Sequence, residues 1–74
     1  MNKIIISLVK VEDFLLDDKK CTEDQRGEII STIKDIDAKE GRQWVFTSSE
    51  NKYFIDEYNE YHDFVKTYTF KDEQ

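Results

Sequence analysis

The sequence predicts an α+β or small α/β fold, a three-stranded sheet covered by two helices in the order β-α-β-α-β. Three observations carry this reading. A β-branched run, "KIIISLV", opens the chain; a capped amphipathic stretch spans residues 22–39; and an alternating segment, "FVKTYTF", comes near the end. Seventy-four residues with no Pro-rich or Gly/Ser-rich linker predict one globular domain over 1–74. Twenty of them are Ile, Leu, Val or Phe, enough apolar side chain to favour a core over disorder.

Taken in order, residues 3–9 carry three consecutive isoleucines in a run short enough for a strand buried on both faces, and this is the expected central strand. In "EDFLLDDKK", Phe14, Leu15 and Leu16 fit one helical turn or a covered loop, and the flanking charges favour an exposed connection. The helix over 22–39 has the best local signals. Thr22 and Gln25 form a capping box, so hydroxyl and amide each satisfy an orphan backbone group of the first turn. Glu23 and Asp24 lie where the helix dipole favours acids. Ile29, Ile33 and Ile36 make one stripe with Ile30 on its shoulder, and Gly41 supplies the stop. Gly27 weakens this helix by about 1 kcal/mol relative to Ala, so either close packing or a loose first turn is expected there.

"RQWVFTS", 42–48, reads as the second strand. Residues 49–63 admit a hairpin turn leading into a strand "KYFI", or a helix from 50 to 63 capped by Ser49. Periodicity favours the helix, because Phe54, Tyr58, Tyr61 and Val65 fall within about 40° of one another on a wheel while strict alternation stops after residue 55. These four become expected core residues. "FVKTYTF" is the third strand, with Val65, Thr67 and Thr69 on one face and Phe64, Lys66, Tyr68 and Phe70 on the other. Strand polarity stays open.

Seventeen acids against eleven bases give a net charge of −6 with His62 neutral. This disfavours direct nucleic-acid binding and an anionic membrane surface, since both need a basic patch. Cys21 is the only cysteine, which excludes an intrachain disulfide and points to the cytoplasm. No apolar run approaches the roughly 18 residues of a membrane helix. His62 has no second His or Cys to join in a zinc site, and no phosphate-binding glycine loop or nucleophile motif occurs. "DIDAKEG" departs from a calcium loop, with Lys39 at its fifth position and Gly41 at its seventh. The expectation is a protein without enzymatic activity, cofactor or metal.

On the wheel of the expected second helix, Tyr53, Asp56, Glu57, Glu60 and Asp63 turn away from the core, and Tyr53 is the aromatic that burial does not explain. In the first helix Asp24, Glu28 and Asp35 share the side opposite the isoleucines. These eight residues form the expected binding surface. A surface of one sign attracts basic partners, so the expected function is a small acidic protein-binding module. Its expected partner is a basic protein such as a nucleic-acid-binding enzyme or complex, whose groove it would occupy as a DNA mimic. In size and charge the chain is similar in type to small acidic phage proteins that inhibit host restriction or CRISPR systems, a likeness carried by no particular residues. The competing expectation is an adaptor or homo-oligomer using an apolar strand face around Trp44, Phe46, Tyr68 and Phe70. A monomer or weak dimer is expected, because Lys66 and Lys71 guard the last strand.

Overall fold

The computed structural model describes residues 3–50 and 52–71. The elements run β1 (Lys3–Ile5), α1 (Leu8–Asp17), α2 (Glu23–Asp37), β2 (Gln43–Ser49), β3 (Lys52–Tyr58) and β4 (Phe64–Lys71). The fold is α+β. One four-stranded sheet has the order β1-β2-β3-β4 with every neighbouring pair antiparallel, so the sheet gains a strand over the expected three and the element order becomes β-α-α-β-β-β.

Three expectations change, each for a physical reason. β1 is a short edge strand, and only Ile5 of the isoleucine run is buried while Ile4 is 70% exposed. Leu8 and Val9 belong to α1 instead: Val11 and Leu15, one helical turn apart, are buried, and Leu8 and Phe14 pack beside them. "EDFLL" is therefore helix, its charges lying on the wet side. The expected helix over 50–63 is a hairpin. Pairing of Ser49 with Lys52 leaves two residues between β2 and β3, and Glu50 takes φ 23° in the turn.

α2 forms as its sequence requires. Thr22 and Gln25 exchange both capping-box hydrogen bonds, and Ile29, Ile33 and Ile36 are buried against the sheet. Gly41 has φ 77°, in the left-handed region, within the connection to β2. No atom lies within 4 Å of where a Cβ on Gly27 would stand, so close packing does not explain that glycine. β2 and β3 alternate, with Trp44, Phe46 and Ser48 and then Tyr53, Ile55 and Glu57 buried toward the helices. Phe46 is the hub. Its ring centroid lies 5.9 Å from that of Phe14 and 6.1 Å from that of Tyr53, joining α1 to the sheet. Tyr68 and Phe70 of β4 pack on the margin of this core.

Candidate interaction surface

At one end of the sheet the inward row of β3 finishes on a carboxylate. Glu57 is 0% exposed. Its Oε2 accepts a 2.6 Å hydrogen bond from Arg42 Nη1 and lies 3.5 Å from Lys39 Nζ, while its Oε1 accepts from the Tyr68 hydroxyl at 2.8 Å. Burial alone would raise its pKa, but the hydrogen bonds from Tyr68 and Arg42 and the charges of Lys39 and Arg42 outweigh it and hold the carboxyl below its ordinary 4.5. Accepting the Tyr68 proton in a buried bond, Glu57 in turn pushes the phenol above 10.0, with burial adding to the shift. Beside this group the Trp44 indole N–H donates to Asp37 at 2.9 Å. The cluster ties the α2–β2 connection to β3 and β4, and no buried side-chain polar atom among the described residues lacks a partner.

Both helices cover the same side of the sheet, and among the described residues no element covers the other side. Alternation places Val45 and Thr47 of β2 and Phe54, Asp56 and Tyr58 of β3 on this outer side, each half-buried by its neighbours. The β3–β4 register slips between Glu57 and Tyr58, which sets Phe64 opposite Tyr58. Their rings meet edge to face at 6.1 Å, and Phe64 is 59% exposed. Ile4 extends the same face on β1 through its pairing with Thr47. Asp56, the one acid in these rows, accepts from the Thr67 hydroxyl at 2.6 Å.

The eight residues expected to bind therefore separate. Tyr53 is buried, and its hydroxyl donates to Asp18 Oδ2 at 2.7 Å. Glu57 is the buried ion-pair acceptor. Asp56 lies on the outer sheet face, and Glu60 and Asp63 are exposed in the β3–β4 turn. The expected stripe on a second helix does not exist, because a strand's period of two sends Tyr53 and Glu57 inward and Phe54, Asp56 and Tyr58 outward. For the same reason the expected core set of Phe54, Tyr58, Tyr61 and Val65 lies outside, and Tyr61 is 76% exposed. On α2, Asp24, Glu28 and Asp35 are all exposed, with no base at the same angle. Trp44, Phe46, Tyr68 and Phe70 do share one sheet face, but it is the face that the helices cover.

An open groove of about 750 Å³ runs between α1 and α2, with Ile30 and Leu16 on its floor and walls, and Arg26 and Lys34 mixed among Glu12, Glu23, Asp24 and Asp35 at its rim. Cys21 is half-buried against the core, its thiol 3.5 Å from the Thr22 carbonyl. Among the described residues no three His, Cys, Asp or Glu side chains are grouped to hold a metal ion, and no helix is long and apolar enough to cross a membrane. One signal in the sequence does lead to Glu57: an acid in register with Tyr53 and Ile55 on a strand needs a cation to meet it, and Lys39 and Arg42 stand just before β2. No protein family, curated protein or solved structure matches the chain.

Proposed function

We propose that this protein is a small non-enzymatic protein-binding module whose working surface is the uncovered face of its sheet. The observation that carries this reading is the row formed by Phe54, Tyr58 and Phe64, aromatic side chains that face away from the helices on the side of the sheet that no described element covers. Antiparallel sheets often leave one face to water, and such faces are then mostly polar. Here Val45, Ile4 and the three aromatics interrupt the threonines, and apolar patches of this kind mark interfaces. Among the described residues the one fully buried acid, Glu57, is engaged by Arg42, Lys39 and Tyr68 in holding the fold. A cytoplasmic location accords with the single cysteine.

A second reading rests on a separate observation, the exposed one-sign stripe of Asp24, Glu28 and Asp35 on α2. It keeps the acidic inhibitor that occupies a basic nucleic-acid-binding site, now on one helix only. Acids at i, i+4 spacing stand about 6 Å apart, whereas duplex DNA carries a charge every ~1.7 Å of axis, so a single helix copies phosphate spacing poorly.

Capture from a lysate with three baits separates the two: the parent, Phe54→Ser with Phe64→Ser, and Asp24→Lys with Glu28→Lys and Asp35→Lys. The expected result is a protein, another copy of the chain included, that the parent and the α2 variant retain and the sheet-face variant loses at least tenfold. Loss confined to the α2 variant and to low salt replaces the first reading by the second. Equal capture by all three folded baits removes both.

A further inference from the structure

We propose that the free edge of β4 pairs antiparallel with the same strand of a second copy, joining two four-stranded sheets into one across a two-fold axis at Thr67. The two edges of the sheet differ. β1 offers three residues, Lys3–Ile5, whereas β4 runs for eight and is paired with β3 alone. Proteins blunt a long edge with proline, a bulge or a charge that stands in the path of an incoming strand. Residues 64–70 contain no proline, the register shift falls at their Phe64 end, and their one charge belongs to Lys66. Its Nζ lies 4.5 Å from the centroid of the Tyr68 ring, two residues along the same strand. The charge therefore runs along β4 and leaves the edge open.

An edge selects the strand whose side chains match it at each paired position. Antiparallel pairing of β4 with itself, Thr67 opposite Thr67, sets Lys66 of each copy opposite Tyr68 of the other. In the β3–β4 register Lys66 is opposite Glu57 and Tyr68 is opposite Ile55, all on the side of the sheet that carries the helices. One row of the joined sheet then reads Glu57, Lys66, Tyr68, Ile55, with the seam between Lys66 and Tyr68, and the two-fold axis repeats it. Each cation stands between a carboxylate and an aromatic ring, and both contacts are attractive. An isologous interface needs a patch complementary to itself in this way. Moving the axis one residue toward Phe64 would set Lys66 opposite Lys66, so repulsion opposes that register. The Tyr68 phenol, its pKa raised first by the hydrogen bond to Glu57 and by burial, also feels the charge of Asp35 on α2. An acid thus stands near the place where the other copy's lysine arrives.

α2 packs over β2 and β3, so two copies of it stand four strand spacings apart across the seam, roughly 19 Å. That is about two screening lengths at physiological salt, and the net charge of −6 weakens the pairing without forbidding it. About six residues at 3.4 Å along a sheet about 10 Å thick bury roughly 200 Å² per copy. A total of about 400 Å², supported by main-chain hydrogen bonds, describes a weak and transient pair. The seam uses the edge of β4 and leaves the open face free, so it stands or falls apart from the sheet-face reading.

Sedimentation velocity of the full chain from about 5 to about 1000 µM reads the pairing, and the expected result is a dimer with a dissociation constant of roughly 50 to 500 µM. Disulfide trapping reads its register. On a Cys21→Ser background, Thr67→Cys brings two Cα atoms within about 5 Å across the axis, inside disulfide reach, whereas Thr69→Cys leaves them about 14 Å apart. Under a mild oxidant the first variant should form a linked dimer at least tenfold faster than the second. Lys66→Gln removes the cation without setting a second acid opposite Glu57, and should raise the dissociation constant at least threefold. Circular dichroism and urea unfolding check that each variant is folded; Thr67 and Thr69 are exposed, so the trapping comparison stands even if Lys66→Gln loosens β4. A parent monomeric up to about 1000 µM overturns the inference, and so does a dimer that both cysteines trap at the same rate. A dimer lost on Phe54→Ser with Phe64→Ser, yet unmoved by Lys66→Gln and not trapped at Thr67, is held by the open face, and pairing through β4 is refuted. A monomeric parent that retains a lysate protein and loses it on Lys66→Gln takes a foreign strand at this edge, which refutes the second copy.

Discussion

Removing the Glu57 carboxylate should be among the most damaging single changes in this protein. Alanine there deletes the acceptor of the Arg42 and Tyr68 hydrogen bonds and the counter-charge of Lys39. Breaking a buried pair by taking away one partner costs roughly 3 to 5 kcal/mol. The Arg42 and Lys39 side chains are 33% and 53% exposed, so water recovers part of their solvation, and about 2 to 4 kcal/mol is the expected loss. A chain of 74 residues has roughly 4 to 11 kcal/mol of stability in all, so the variant should unfold at a markedly lower urea concentration and about 10 to 25 °C lower in temperature. Glutamine keeps the shape and an acceptor for Tyr68 but loses the charge, and about 1 to 2 kcal/mol is expected from it. Urea unfolding followed by circular dichroism reads both. A loss below about 1 kcal/mol for Glu57→Ala would mean that the cluster is tolerated rather than stabilising.

The same cluster fixes the pH response. Because the folded pKa of Glu57 is depressed, its contribution is fully present above the ordinary value of 4.5 and is lost as pH falls through the lowered folded value. Tyr68 behaves oppositely: its folded pKa is raised, so its contribution is present below 10.0 and is lost as pH rises through the raised value. Stability measured against pH should therefore fall on both sides of a plateau. Glu57→Gln should flatten the acid limb, and Tyr68→Phe the alkaline one.

Three other substitutions test separate parts of the structure. Gly27→Ala should stabilise the protein by up to about 1 kcal/mol in thermal unfolding, because nothing stands within 4 Å of the new methyl group and the helix gains propensity; a destabilisation would show that the glycine has a backbone role. Tyr53→Phe, which removes only the hydroxyl that reaches Asp18, should cost about 1 kcal/mol in urea unfolding, and Tyr53→Ala about 3 to 5 as a core truncation. Phe64→Ser should change the free energy of urea unfolding by less than about 1 kcal/mol as a side chain on the exposed face.

Local signals in the sequence were legible where a few residues suffice to decide the conformation. Thr22 and Gln25 announce the start of α2, its isoleucines announce the buried side, and "RQWVFTS" and "FVKTYTF" announce β2 and β4. At β1 the composition was right and the extent was wrong, because a run of β-branched residues does not show where a strand yields to a helix. Leu8 belongs to the apolar run and also to the α1 stripe with Val11 and Leu15, and packing against α2 and the sheet decides between them.

Residues 53–65 were illegible for a deeper reason. As a helix the segment would gather Phe54, Tyr58, Tyr61 and Val65 on one side, and as a strand it buries Tyr53 and Ile55, so local burial alone favours the helix. The strand wins through partners that are distant in sequence. β3 lies between β2 and β4 with both its edges hydrogen-bonded, and tertiary context of this kind overrides local periodicity. Glu57 concealed the outcome, since a charge in the third inward position breaks the apolar alternation that would have marked a strand. That break is itself the clue: the inward row continues through Glu57 because Arg42, Lys39 and Tyr68 meet it there. The residue that looked most like solvent-facing charge thus closes the core, and the aromatics that looked most like core are left on the open face, where a partner can reach them.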